Sequence, residues 1–369
     1  MESAETTVVA TSDARSPSST WEATIRRRHL PALDGLRAVA VFIVILGHLN
    51  AIFLPADLGV TIFFVLSGFL ITLLLLREWD ATGNVSLKRF YARRALRIFP
   101  AYFTYLAFTF SLDTVLGDLR WKHLLLPALT YTVNYYNALH GHPSTSVAHA
   151  WSLSIEEQFY LVWPGVFLLV APRGLKSLCT FLIGAIAAVL LIRCTLWYGV
   201  HVNTAYVYNA FETRFDNLAI GCLLAVVAQT GFMLRTVDLL ARRTWYPALT
   251  IMAVAFSRPM LGDAFHYGPG FTFEALLIAV LVMQLLVLSR RLPWQWLESR
   301  LTTYLGRISY SLYLYHGWGN ALGGKLVRSH GPAQLVVQLA ACVLLASGSY
   351  HLIERPFLRL KDRSFRAAD

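Results

Sequence analysis

The feature that most constrains this chain is the recurrence of apolar runs long enough to cross a bilayer. About 20 predominantly apolar residues span the hydrocarbon. Ten such segments are read along the sequence, at about 36–54, 58–76, 98–116, 152–171, 175–195, 211–229, 245–260, 271–289, 303–323 and 333–353. Backbone polar groups in lipid have to be satisfied within the segment, so these runs predict helices. Composition agrees: 56% of the 369 residues are hydrophobic and 14% charged, where a soluble domain carries about 25% charge. The expected fold is all-α, a polytopic membrane bundle of about ten transmembrane helices.

Charge sorts the loops. Assigning the N-terminus, the loops after even-numbered spans and the C-terminus to one side collects most of the 32 Lys and Arg residues there. The positive-inside rule then predicts that both termini are cytoplasmic. The net charge of +11 is read as topology, and no nucleic-acid partner is expected. Residues 1–29 are rich in Ser, Thr and Ala, show no cleavable signal and end in Arg26, Arg27 and Arg28. They are expected to form a disordered cytoplasmic tail. Residues 30–358 are expected to be the integral-membrane domain, and 359–369 a short basic cytoplasmic tail. Cys179, Cys194, Cys222 and Cys342 lie in or at the ends of apolar segments without paired spacing, and read as packing residues.

Few side chains in this background can carry chemistry. The stretch LDGLRAVAVFIVILGHLN sets Arg37 and His48 eleven residues apart. That is about three helical turns, which puts both on nearly the same face, roughly 16 Å apart. Ionisable groups at membrane depth are costly and usually functional, and an imidazole titrates where a general base works. A surface anchor plus an interhelical histidine is the structural alternative. In KRFYARRALRIFP, Arg94 and Arg97 are i, i+3 neighbours beside Lys88, Arg89 and Arg93. Such a face suits bidentate phosphate binding, or simply clamps the end of a span. In HAWSLSIEEQFYLVWP, Glu156 and Glu157 sit about one turn into a helix, where they also complement its dipole.

Glu212, Arg214 and Asp216 cluster in ETRFDNLAIGCLLA, readable as a salt bridge, and His316 in LGRISYSLYLYHGW lies at a depth similar to that of His48. The connection 117–151 holds His123, His140, His142 and His149. Their spacing fits no standard site, and no metal is expected. No glycine-rich phosphate loop, zinc-protease motif or GxSxG elbow is present.

Taken in order, these segments resemble one family. LDGLRAVAV followed by His48, FFVLSGFLIT (63–72), RRALRIFP (93–100), WSLSIEEQFYLVWP (151–164), RFDNLAIG (214–221), SYSLYLYH (309–316) and ERP (354–356) are similar to the motifs of integral-membrane acyltransferase family 3. That family includes bacterial O-acetylases of surface polysaccharides and acylases of macrolide antibiotics. The resemblance runs from Leu33 to Phe357. It implies ten helices around a central pore, His48 as the essential histidine, and a donor role for the Arg94–Arg97 pair. One departure is visible: many members carry an Asp where this chain has Thr61 in GVTIFFVLSGF, so no role of that acid carries over. Some members append an esterase-like domain, and none is expected after ERP here.

The resemblance leads to an expected reaction. An acyl group, most simply acetyl, passes from cytosolic acyl-CoA to a hydroxyl of a cell-surface glycan or glycosylated small molecule. Arg94 and Arg97, with Arg37, are expected to hold the donor; His48 to act as general base; and Glu156, Glu157 or Asp216 to orient its imidazole. Ser67 and Gly68 read as close-packing residues. The expected location is the bacterial cytoplasmic (inner) membrane, with the lipid bilayer as partner. Two alternatives stand beside this: a macrolide acyltransferase acting on the cytoplasmic side, and a transporter or flippase of a lipid-linked sugar.

Overall fold

The computed structural model describes residues 16–27, 29–53, 55–327 and 331–365. Within them the chain forms seventeen α-helices with short 3₁₀ and π turns between, and no strand. They are α1 (Pro17–Ile25), α2 (Pro31–His48), α3 (Ala56–Thr82), α4 (Leu87–Val115), α5 (Leu125–Leu129), α6 (Val133–His140), α7 (Trp151–Val170), α8 (Leu175–Cys194) and α9 (Thr204–Asn209). The rest are α10 (Phe215–Val227), α11 (Gly231–Leu240), α12 (Tyr246–Phe265), α13 (Phe271–Leu288), α14 (Arg300–Arg307), α15 (Ser309–Leu326), α16 (Pro332–Ser349) and α17 (Arg355–Phe365).

The all-α expectation holds, and the chain is a multi-pass membrane protein. Seven stretches are long and apolar enough to cross a membrane, or eight if α10 and α11, bent by 107°, count as one. The sequence reading gave ten. Two of those ten fall within the single stretch 246–288. Another falls on α14 and α15, whose Ser, Tyr, His, Gly and Asn residues make it too polar for that set.

Local signals explain several helix ends. Pro31 opens α2, where a missing N–H costs nothing, and Ser86 caps α4 by accepting from the Arg89 N–H. Gly83 closes α3 in the left-handed conformation that only glycine adopts freely. The centre of the bundle depends on close backbone approach. A Cβ on Gly68 of α3 would collide with the Leu218 carbonyl, and one on Gly221 of α10 with that of Val65. The two glycines let α3 and α10 touch, as small residues do between membrane helices.

The tails differ from expectation. Residues 17–25 form α1, not a disordered segment. Trp21 is 1% exposed, the Ser18 N–H donates to the Asp238 carboxylate, and Arg77 donates to the carbonyls of Ile25 and Arg27. The indole supplies the apolar burial that a Ser/Thr/Ala composition concealed. At the other end α17 carries the helix through 365 and packs against α4. The expected tail segments 1–15 and 366–369 lie outside the described residues.

Candidate active site

Between α2, α3, α7 and α15 lies a small, half-open cavity of about 40 Å3. Arg37, Ser67, Glu156 and Ser309 line one part of it, and Val60, Phe63, Leu153, Ser152 and Tyr313 another. α2 gives the site its two ends, Arg37 near its start and His48 at its last residue.

At the Arg37 end the basic and acidic residues of three motifs come together. The Ser67 hydroxyl donates to Glu156 Oε1 at 2.7 Å, so Ser67 is a hydrogen-bond partner as well as a neighbour of the packing Gly68. Glu156 lies in the field of Arg94, Arg37 and Arg97, and Glu157 in that of Arg94. The Arg94 guanidinium stacks over the Tyr160 ring, 4.2 Å from its centroid. This contact holds a planar cation in place while leaving its N–H edge free for other acceptors. Arg97 is exposed, and Arg37 Nε is buried with no hydrogen-bond partner among the described residues. Glu354, from the ERP motif, accepts a hydrogen bond from Ser311 and lies in the field of Arg97 and Arg37.

At the other end, His48 is not the mid-helix imidazole that the sequence reading implied. It is the terminal residue of α2, and it is exposed. Its Nδ1 lies 2.8 Å from the Val44 carbonyl. A carbonyl only accepts, so Nδ1 carries the proton and Nε2 of the neutral ring is a lone pair. The ring stands 5.0 Å from that of His316, which stands 4.9 Å from that of His149. His316 is fixed in the same tautomer by the Tyr313 carbonyl at 2.7 Å. Among the described residues, no group of three or more His, Cys, Asp or Glu is arranged to hold a metal ion.

The three acids expected to orient His48 go elsewhere. No hydrogen bond joins Glu156, Glu157 or Asp216 to that imidazole among the described residues, and the two glutamates belong to the arginine cluster. Asp216 is wholly buried in an ion pair with Arg193 at 2.9 Å, and Thr272 donates to the same carboxylate oxygen at 2.5 Å. Arg193 also donates to the Gly268 and Thr213 carbonyls at 2.7 Å. This is a structural joint between α8, α10 and the turn before α13. Among the described residues, no salt bridge joins Arg214 to Glu212 or Asp216, the other members of the cluster read as one. The Tyr135 and Tyr206 hydroxyls both donate to Glu212, and that carboxylate, with burial, pushes the Tyr206 phenol up to about 12. Arg214 lies over the Phe271 ring, 3.7 Å from its centroid, and reaches Thr61 Oγ1 at 3.5 Å.

Sequence reasoning overlooked Arg193, Tyr313 and the partnership of His149 with His316. Arg193 had a signal, since a lone arginine in an apolar helix needs an internal partner. Tyr313 and His316, three residues apart, also share one helical face.

A family model described as an acyltransferase domain matches residues 30–352. The chain belongs to that family. Among its relatives, the peptidoglycan O-acetyltransferase OatA of Listeria monocytogenes is 31% identical over 89% of this chain and 56% of its own length. YrhL of Bacillus subtilis, named provisionally as a peptidoglycan O-acetyltransferase, is 31% identical over 94% of this chain and 57% of its own length. A provisionally named O-acetyltransferase of Staphylococcus aureus (strain COL) is 29% identical over 90% and 58% respectively. This acyltransferase-family chain thus spans a little over half the length of the curated relatives it matches. No solved structure matches it.

Proposed function

We propose that this chain is the membrane domain of an O-acyltransferase that carries an acetyl group from acetyl-CoA to a glycan hydroxyl, in the cytoplasmic membrane of a bacterium. The observation that carries this reading is the cavity itself. It begins among Arg37, Glu156 and Ser67, beside the Arg94–Arg97 pair, and ends at Tyr313 and Ser152, next to the histidines. Guanidinium groups at one end suit the phosphates of a CoA donor. The excess of Lys and Arg at the Arg37 end argues for a cytosolic donor side.

The chemistry follows from the His48 tautomer. Nε2 takes the proton of the acceptor hydroxyl as its oxygen attacks the thioester carbonyl. The tetrahedral intermediate collapses, the C–S bond breaks, and the imidazolium returns the proton to the CoA thiolate. The Val44 carbonyl stabilises the imidazolium through Nδ1–H, taking the orienting part that an acid was expected to play. The relatives' names point to peptidoglycan as the acceptor class.

The test uses purified protein with radiolabelled acetyl-CoA and peptidoglycan fragments. Wild-type protein is expected to label the glycan, and His48→Ala to lose about 10²–10⁴-fold in rate. Near-normal turnover in the variant would remove the general-base role. A wild-type protein that moves a lipid-linked sugar without labelling it would favour transport.

A further inference from the structure

Helix α15 and the start of α7 face each other in two steps. Tyr313 and His316 are three apart on one, and Ser152 and His149 three apart on the other. In the first step the Tyr313 hydroxyl lies 2.8 Å from the His149 carbonyl and 2.6 Å from Ser152 Oγ. The carbonyl only accepts, so the phenol proton goes to it and Ser152 donates to the phenol oxygen. In the second step His316 meets His149 and His48 through its ring. Tyr313 and Ser152 line the cavity, whereas His48, His149 and His316 do not. Tyr313 therefore stands between the cavity and the histidines. Phe63 meets the Tyr313 ring edge-on at 6.2 Å, and with Val60 and Leu153 makes the adjoining wall apolar.

We propose that Tyr313 sets the length of the acyl group, an assignment that rests on the reading of acyl-CoA as the donor. The thioester carbonyl has to come up beside this ring to meet His48. Each added methylene then competes for space that the ring fills. The side chain is 5% exposed, and its hydroxyl is engaged on both sides. Moving it aside leaves the His149 carbonyl and the Ser152 hydroxyl without partners in a buried place, a cost that an acyl chain does not repay.

The experiment compares kcat/KM for acetyl-, butyryl- and hexanoyl-CoA in the purified wild type and in Tyr313→Ala, Tyr313→Val and Tyr313→Phe. The small side chains are expected to raise the butyryl-to-acetyl ratio by about 10–200-fold, the range that a methylene or so commands in an apolar pocket. Tyr313→Phe keeps the ring but loses the hydroxyl that anchors it to the His149 carbonyl and Ser152, and is expected to raise the ratio less than the small side chains do. Tyr313→Val carries the test if the alanine variant does not fold. An unchanged ratio in the small variants, with the wild type using acetyl-CoA, overturns the assignment alone, as does a phenylalanine variant shifted as far as alanine. A wild-type protein that uses no acyl-CoA overturns the donor reading and the assignment together.

Discussion

Replacing Asp216 separates a structural role from a catalytic one. Its carboxylate is wholly buried and paired with the equally buried Arg193 at 2.9 Å. Breaking a buried pair by removing one partner costs about 3–5 kcal/mol, because a charge is left behind without compensation. Here the stranded guanidinium keeps its bonds to the Gly268 and Thr213 carbonyls, so the lower end, about 3 kcal/mol, applies to Asp216→Ala. Asp216→Asn retains an acceptor for Arg193 and Thr272, and is expected to lose less. The assay is thermal unfolding of the detergent-purified protein, followed together with acetyl transfer at a temperature where each variant remains folded. The expected result is a lowered midpoint in Asp216→Ala, a smaller drop in Asp216→Asn, and transfer rates that fall only with the folded fraction. An Asp216→Asn protein with wild-type stability and abolished transfer would refute this reasoning and return Asp216 to the reaction.

Other perturbations probe the two packing and binding ends. Arg94→Ala combined with Arg97→Ala is expected to raise the KM for acetyl-CoA at least tenfold while leaving acceptor KM unchanged, since each charge-assisted phosphate contact is worth about 1.5–3 kcal/mol. Steady-state kinetics with each substrate varied in turn checks this. Gly68→Ala is expected to destabilise the protein by about 1–3 kcal/mol, because the new methyl forces α3 away from the Leu218 carbonyl; thermal unfolding reads it. Trp21→Ala removes the buried indole that fastens α1, and is expected to make residues 16–27 sensitive to limited proteolysis that the wild type resists.

The fold class was legible because a bilayer leaves an apolar run few alternatives to a helix. Each of the ten expected segments coincides with a helix, but the crossings themselves were harder to read. The Tyr, Ser and His residues of α15 serve the interior and dilute the apolar signal, and within the 246–288 stretch α12 and α13 fold back on each other, Thr250 meeting Gln284 and Ser257 meeting Glu274. At the site, the Arg37–His48 spacing put a cation and an imidazole on one helix, but the sequence did not show that His48 ends it. The partners of the acids were not legible. Asp216 sits two residues from Arg214 in sequence, yet its charge is met by Arg193 on α8. Glu156 was one of three acids that the sequence offered as a partner for His48. Only the packing of α3 against α7 shows that Ser67 and the arginines claim it. The tail failed for a simpler reason: one tryptophan outweighs a run of small polar residues once a surface is available to bury it.

The central claim is that donor and acceptor meet across the bundle, with acetyl-CoA entering at the Arg37 end and the hydroxyl arriving at His48. Proteoliposomes of known orientation test it directly, with acetyl-CoA supplied on the Arg37-end face alone and the glycan on the His48-end face alone. The account expects glycan acetylation in that arrangement, none when the two substrates are exchanged, and none with His48→Ala. Transfer that requires both substrates on the same face would contradict it.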